Sequence, residues 1–210
     1  MVVENARVYA VFCLLVSWIP LGAALGQVEP ANEWSVALEE AKDGHLWRVG
    51  AWGVANAGLG LALVASSSRA DQPARFGFGV QSAAWGVINL GIAGIGLSTG
   101  GADVAETLLD AAWAEDAYRD ILLVNLGLNA GYMMVGGAMV IASHQGVRHA
   151  ESWRGHGWAV VLQGLGLMIL DGYAFWDAGR RLDAMKNQLE MQLSVAPVQD
   201  GLLFSIVVPF

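Results

Sequence analysis

ILLVNLGLNAGYMMVGGAMVIAS, residues 121–143, contains no Asp, Glu, Lys or Arg. A helix that crosses a bilayer needs about 20 mostly apolar residues at ~1.5 Å rise each, and this stretch meets that length. Three further segments share its character: Val49–Ala65, Phe76–Leu97 and Trp158–Trp176. The first reaches spanning length when Leu46, Trp47 and Ser66 are added. A buried helix of a soluble protein would keep a polar face, and these segments show little of one. Charge is confined to the stretches between them and makes up 14% of the chain, against about 25% in ordinary soluble domains. Mean hydropathy is +0.47. The expectation is an all-α membrane protein, a bundle of four transmembrane helices with the lipid bilayer as its surroundings.

The net charge of −8 leaves no electrostatic footprint for nucleic acid. The acidity is local. Asp103, Glu106, Asp110, Glu115, Asp116 and Asp120 face a single Arg119 between the second and third spans, a run read as a solvated face.

Residues 1–26 read as a secretory signal. Arg7 supplies the positive start, Val8–Ile19 the apolar core, and Ala24-Leu25-Gly26 the small residues of a cleavage site. An uncleaved fifth span is the alternative. The only cysteine, Cys13, lies in this segment, so the mature chain would have no disulfide, thiol or thiolate-metal chemistry. Residues 27–48 read as an amphipathic extramembrane segment, with Trp34, Leu38 and Leu46 on the membrane surface and Glu33, Glu39, Glu40, Lys42 and Asp43 in water. Residues 49–181 form the transmembrane domain. With a signal removed, both termini would be periplasmic in a bacterial inner membrane. The loops carrying Arg69 and Arg75, and Arg148 and Arg154, would then be cytoplasmic.

The spans echo one another. Trp52-Gly53-Val54-Ala55-Asn56 resembles Trp85-Gly86-Val87-Ile88-Asn89, and Asn56-Ala57-Gly58 returns as Asn129-Ala130-Gly131. We expect two repeated hairpins related by an axis along the membrane normal. Every span carries an amide or an acid: Asn56, Asn89, Asn125, Asn129, Gln163 and Asp171. Such groups turn inward in hydrocarbon to find partners, so they form the candidate polar layer. Asp171 is expected to bond an amide or an indole of a neighbouring helix. Gly127 and Gly131, at small-xxx-small spacing, are expected to let helices approach closely.

No catalytic set, cofactor motif or metal-ligand pattern is apparent. His45, His144, His149 and His156 all lie outside the middle of the spans, and His144, His149 and Glu151 match no strong metal-ligand spacing. The function expected is that of a non-enzymatic membrane protein without cofactor or metal, packing with itself as a homo-oligomer or with a membrane-protein partner. The alternative is an oligomeric carrier of a small molecule or ion through the polar layer. From Leu189 an alternating pattern, a turn at Pro197–Gly201 and a second apolar run suggest a short C-terminal β-hairpin within residues 182–210.

Trp-Gly-x-x-Asn at Trp52–Asn56, Trp-x-x-x-Asn-Leu-Gly-Ile-Ala-Gly at Trp85–Gly94, Asn-x-Gly-x-Asn-x-Gly-Tyr at Asn125–Tyr132 and Val-Val-Leu-Gln-Gly at Val160–Gly164 together resemble an uncharacterised bacterial membrane family of Bacteroidota type. The resemblance covers about Leu46 to Arg181. It implies a four-helix bundle and no known activity. The chain departs from the family in its first loop, where Phe76-Gly77-Phe78-Gly79 replaces an aromatic and histidine pattern.

Overall fold

The computed structural model describes the backbone of residues 28–101, 104–193, 195–198 and 201–204, and the side chains of residues 31–101 and 104–191. The segment read as a signal lies outside the described residues. Four helices carry the fold: α1 (Val28–Ala65), α2 (Pro73–Thr99), α3 (Leu108–Ser143) and α4 (Ala150–Leu193). All four are long and apolar enough to cross a membrane. Local chemistry sets their ends. Proline opens the first turn of α2, where a missing N–H costs nothing. Thr107 and Asp110 cap α3 reciprocally. Gly146, at φ 77°, turns the chain between α3 and α4.

The helices pair as two hairpins, α1 with α2 and α3 with α4, and α2 also packs along α4. Glycine sets the spacing within each pair. A Cβ on Gly86 would lie 2.3 Å from the Ala57 backbone nitrogen, and one on Gly60 would lie 2.3 Å from that of Ala83 and 2.6 Å from the Gly79 carbonyl oxygen. In the second hairpin, a Cβ on Gly136 would meet the Gly157 carbonyl oxygen at 2.6 Å, and one on Gly164 the Asn129 carbonyl oxygen at 2.8 Å. The crossing pairs Gly53–Gly86 and Gly60–Gly79 are therefore answered by Asn129–Gly164 and Gly136–Gly157. This register differs from one that equates Asn56 with Asn129.

Gly127 and Gly131 do not serve these contacts, since a Cβ on either would meet nothing within 4 Å. The reason is helical phase. Helix α4 packs on the face of α3 bearing Asn129, Met133 and Gly136, and a shift of two residues rotates a side chain to the far side of a 3.6-residue helix.

Helices α1, α3 and α4 continue past the end of α2 and form a three-helix extension. Leu38, Tyr118, Leu122, Ala174 and Ala178 make one buried cluster there, and Leu108, Ala111, Ala112, Leu182 and Met185 make a second, flanked by Trp34. The Trp34 indole donates to Gln188 Oε1 at 2.8 Å. The segment read as lying on the membrane surface is thus the continuous start of α1, with Leu38 inside a core. Within the acidic run Glu106, Asp116 and Asp120 are exposed, in keeping with a solvated face, and Glu115 is the exception. Glu115 is fully buried and accepts two hydrogen bonds from Arg181, at 2.8 and 3.0 Å, while Arg181 also pairs with Asp177.

The C-terminal β-hairpin is not supported. Helix α4 runs through Leu193, so the alternation from Leu189 falls on a helix. Beyond it, only the four-residue segments Val195–Val198 and Gly201–Phe204 lie antiparallel, and a lone pair of strands this short is marginal without a further packed surface.

Candidate functional site

Where the extension meets the four-helix region, α1 and α4 bring His45 and Asp171 together. His45 Nε2 lies 3.1 Å from Asp171 Oδ1. Asn129 of α3 donates from Nδ2 to the other carboxylate oxygen at 2.6 Å. All three residues are buried. Asp171 therefore faces inward and bonds an amide of a neighbouring helix, as expected, but its second partner was not foreseen. An ionised carboxylate only accepts, so His45 Nε2 then carries the donor hydrogen. The other ring nitrogen, Nδ1, is buried without a partner among the described residues.

Dividing the chain at residue 48 leaves His45 outside the spans. In the unbroken helix it lies seven residues after Leu38, four before Val49 and seven before Trp52. Those spacings keep the four on one face. Reading one continuous helix would have placed His45 in the interior.

The three residues border a cavity of about 450 Å³ reached by all four helices, within the range of about 300–1,000 Å³ usual for small-molecule sites. Its walls are mainly apolar. Of the α1 lining residues, His45 and Val49 are buried and Lys42 and Leu46 half-buried, whereas Ile92 of α2 and Ile121 and Leu128 of α3 remain 54%, 60% and 50% exposed. Helices α2 and α3 nowhere bring Cα atoms within 8 Å of each other among the described residues. The cavity thus opens sideways between α2 and α3. Lower down, that gap is bridged by Trp85 and Tyr132, whose rings meet edge-on with centroids 5.0 Å apart.

The candidate polar layer is only partly assembled. Asn89, Asn125, Asn129 and Asp171 line the cavity. Asn56 does not, and it donates instead to the Trp52 carbonyl of its own helix at 2.8 Å. Gln163 is buried at 1% exposure away from the cavity, with neither amide atom partnered among the described residues. Asn89 is also 1% exposed, and both its amide atoms lack a partner, as do the Tyr118 hydroxyl and the Trp85 indole N–H. All three border the cavity. Sequence reasoning missed Tyr118 and Lys42, which sit among acidic and exposed neighbours in the chain.

His144, His149 and Glu151 are exposed at the opposite end, and no group of three or more His, Cys, Asp or Glu residues among the described ones is arranged to hold a metal ion. His156 Nδ1 lies 3.1 Å from Gln81 Oε1, joining α4 to α2 near that end.

The model of DUF6992, a family of unknown function, aligns with residues 48–172. These residues include Asp171, Asn129, Asn89 and most of the cavity, and exclude His45. No curated protein and no solved structure matches the chain.

Proposed function

We propose, for a chain that belongs to the DUF6992 family of unknown function, that it is a non-enzymatic membrane protein holding a small amphipathic molecule in the cavity between α2 and α3. The supporting observation is a mainly apolar cavity of about 450 Å³ that opens sideways between α2 and α3, with Asn89, Asn125 and Trp85 among its lining residues. In this reading the carrier alternative is the closer of the two expectations, with Asn56 and Gln163 removed from its path. The proposed setting is a bacterial inner membrane with periplasmic termini, the extension standing outside.

The test is to purify the chain from native membranes and identify co-purifying small molecules by native mass spectrometry. Ile92→Trp or Leu128→Trp would fill the mouth. We expect a discrete amphiphile on the parent chain and its loss from the filled variants. Identical lipid content in all three would remove the reading.

A second reading, self-association, has its own observation. Gly127 and Gly131 present an open backbone surface on the outside of α3, where a second copy could approach closely. Mass photometry of the parent and of Gly127→Leu tests it, with a dimer in the parent alone expected.

A further inference from the structure

We propose that the bundle binds the phosphate head of an anionic phospholipid where α1, α3 and α4 pass from the four-helix region into the extension, through Arg48, Arg119 and Arg180. None of the three lines the cavity, so this site is separate from it.

Helix α4 gathers the three guanidinium groups. Tyr173, Phe175 and Trp176 stand within four residues of that helix, about 4.5 Å of rise, and each ring carries one cation. Arg48 lies 4.9 Å from the centre of the Tyr173 ring, Arg119 4.6 Å from that of Phe175 and Arg180 5.1 Å from that of Trp176. The centres of the Tyr173 and Trp176 rings are 6.4 Å apart, so Arg48 and Arg180 flank one aromatic surface. Their side chains approach it from opposite directions. Arg180 reaches back along α4 toward the span to meet Trp176. Arg48 turns toward the extension, where a Cβ on Gly44 would lie 3.5 Å from its Nη2. Both stems bring their charges to one level, as long cationic side chains do at a membrane boundary.

Composition marks that level as the boundary. Helix α1 has no Asp, Glu, Lys or Arg from Val49 to Ala65, and α4 has none from Gly155 to Leu170. On the other side of the level Glu40, Asp183 and Lys186 are exposed. Trp47, Tyr173 and Trp176 remain 68%, 51% and 58% exposed, in the manner of the aromatic belt at headgroup depth.

Charge selects the occupant. Arg181 pairs with Glu115 and Asp177, so carboxylates are within reach of this part of α4. Yet Arg48, Arg119 and Arg180 form no ion pair among the described residues. A ring face leaves guanidinium N–H donors unspent, and phosphate oxygens are the acceptors that suit them. A zwitterionic head brings its own cation beside the phosphate, so a head with net negative charge is favoured.

The experiment uses the full chain in mild detergent, titrated with dioleoylphosphatidylglycerol, dioleoylphosphatidylcholine and inorganic phosphate. Native mass spectrometry counts bound lipid, and the thermal midpoint is recorded alongside. We expect saturable phosphatidylglycerol binding that raises the midpoint, with the other two probes much weaker. Arg48→Gln and Arg180→Gln break no ion pair among the described residues, so both should keep the parent's midpoint without lipid. Each should weaken phosphatidylglycerol binding about fivefold, while Arg48→Lys, which keeps the charge, should retain most of it. Equal binding of phosphatidylcholine, or phosphatidylglycerol binding untouched by both Gln variants, would overturn the site. So would a loss in Arg48→Lys as large as in Arg48→Gln. Stabilisation by inorganic phosphate equal to that by phosphatidylglycerol would overturn the lipid as its occupant.

Discussion

The three-helix extension and the four-helix region below it are made from the same helices, yet they cohere by opposite means. In the extension, Leu38, Tyr118, Leu122, Leu182 and Met185 fill two buried clusters. Below it, the described residues form no cluster of large buried side chains, and backbones touch at Gly53, Gly60, Gly79, Gly86, Gly136, Gly157 and Gly164. Water explains the first pattern, because burying large apolar groups away from it drives folding. Lipid explains the second. Its tails are as apolar as leucine, so helices gain by close backbone packing and by polar bonds rather than by side-chain burial. Charge follows the same division. The extension contains a buried ion pair, Glu115–Arg181, in which both carboxylate oxygens are bonded, whereas Asp171 below it relies on an imidazole and an amide.

The comparison breaks most sharply at Arg181. Arg181→Met leaves Glu115 fully buried without its cation, and we expect a loss of about 3–5 kcal/mol, read from unfolding in mild detergent. Adding Glu115→Leu to the same chain should restore most of that stability, since replacing a buried pair with apolar groups is often neutral. A single variant as stable as the parent would show that the pair contributes little to holding the extension together.

Next in size is Gly86→Ala. Its new methyl would stand 2.3 Å from the Ala57 nitrogen, and backbone cannot yield as a side-chain tip can. We expect a loss of up to about 3 kcal/mol and a separation of α1 from α2, visible as faster proteolysis of the hairpin. Leu182→Ala, in the extension, should instead cost about 2–5 kcal/mol by cavity formation without altering the hairpin spacing. The pair of variants therefore distinguishes backbone packing from side-chain packing.

Asp171→Leu strands both His45 and Asn129 at the junction of the two regions. The expected cost is about 1–3 kcal/mol. Asp171→Asn retains an acceptor and should lose less than about 1 kcal/mol. Thermal melts of the two variants side by side would check this, and a Leu variant equal to the parent would remove the structural role of the contact.

The smallest effect is expected at Gly127. Gly127→Leu meets no neighbour within 4 Å, so the stability of the single chain should move by no more than about 0.5 kcal/mol. Any larger change in a monomeric preparation would mean that the outer face of α3 is covered.

Much of this was legible in the chain. Long uncharged segments separated by charged ones specify four membrane-capable helices, because hydrocarbon admits only backbones that satisfy their own hydrogen bonds. An acid such as Asp171 in an apolar segment must turn inward, because an unpaired carboxylate facing lipid is too costly, and it bonds Asn129 as that argument requires. Composition also set the character of the helix contacts as glycine and amide. Tertiary structure decided which glycines meet and which partners the acid takes. Gly127 and Gly131 have the right spacing but the wrong phase, and phase depends on which face the neighbouring helix covers. His45 pairs with Asp171 across 126 positions of sequence because α1 runs unbroken from Val28 to Ala65, and no local signal distinguishes one long helix from a surface helix followed by a span. Glu115 reads like its acidic neighbours until Arg181 is brought against it from α4. The cavity belongs wholly to this level, since it is the space left where α2 and α3 do not meet, and empty space between helices has no residue of its own to announce it.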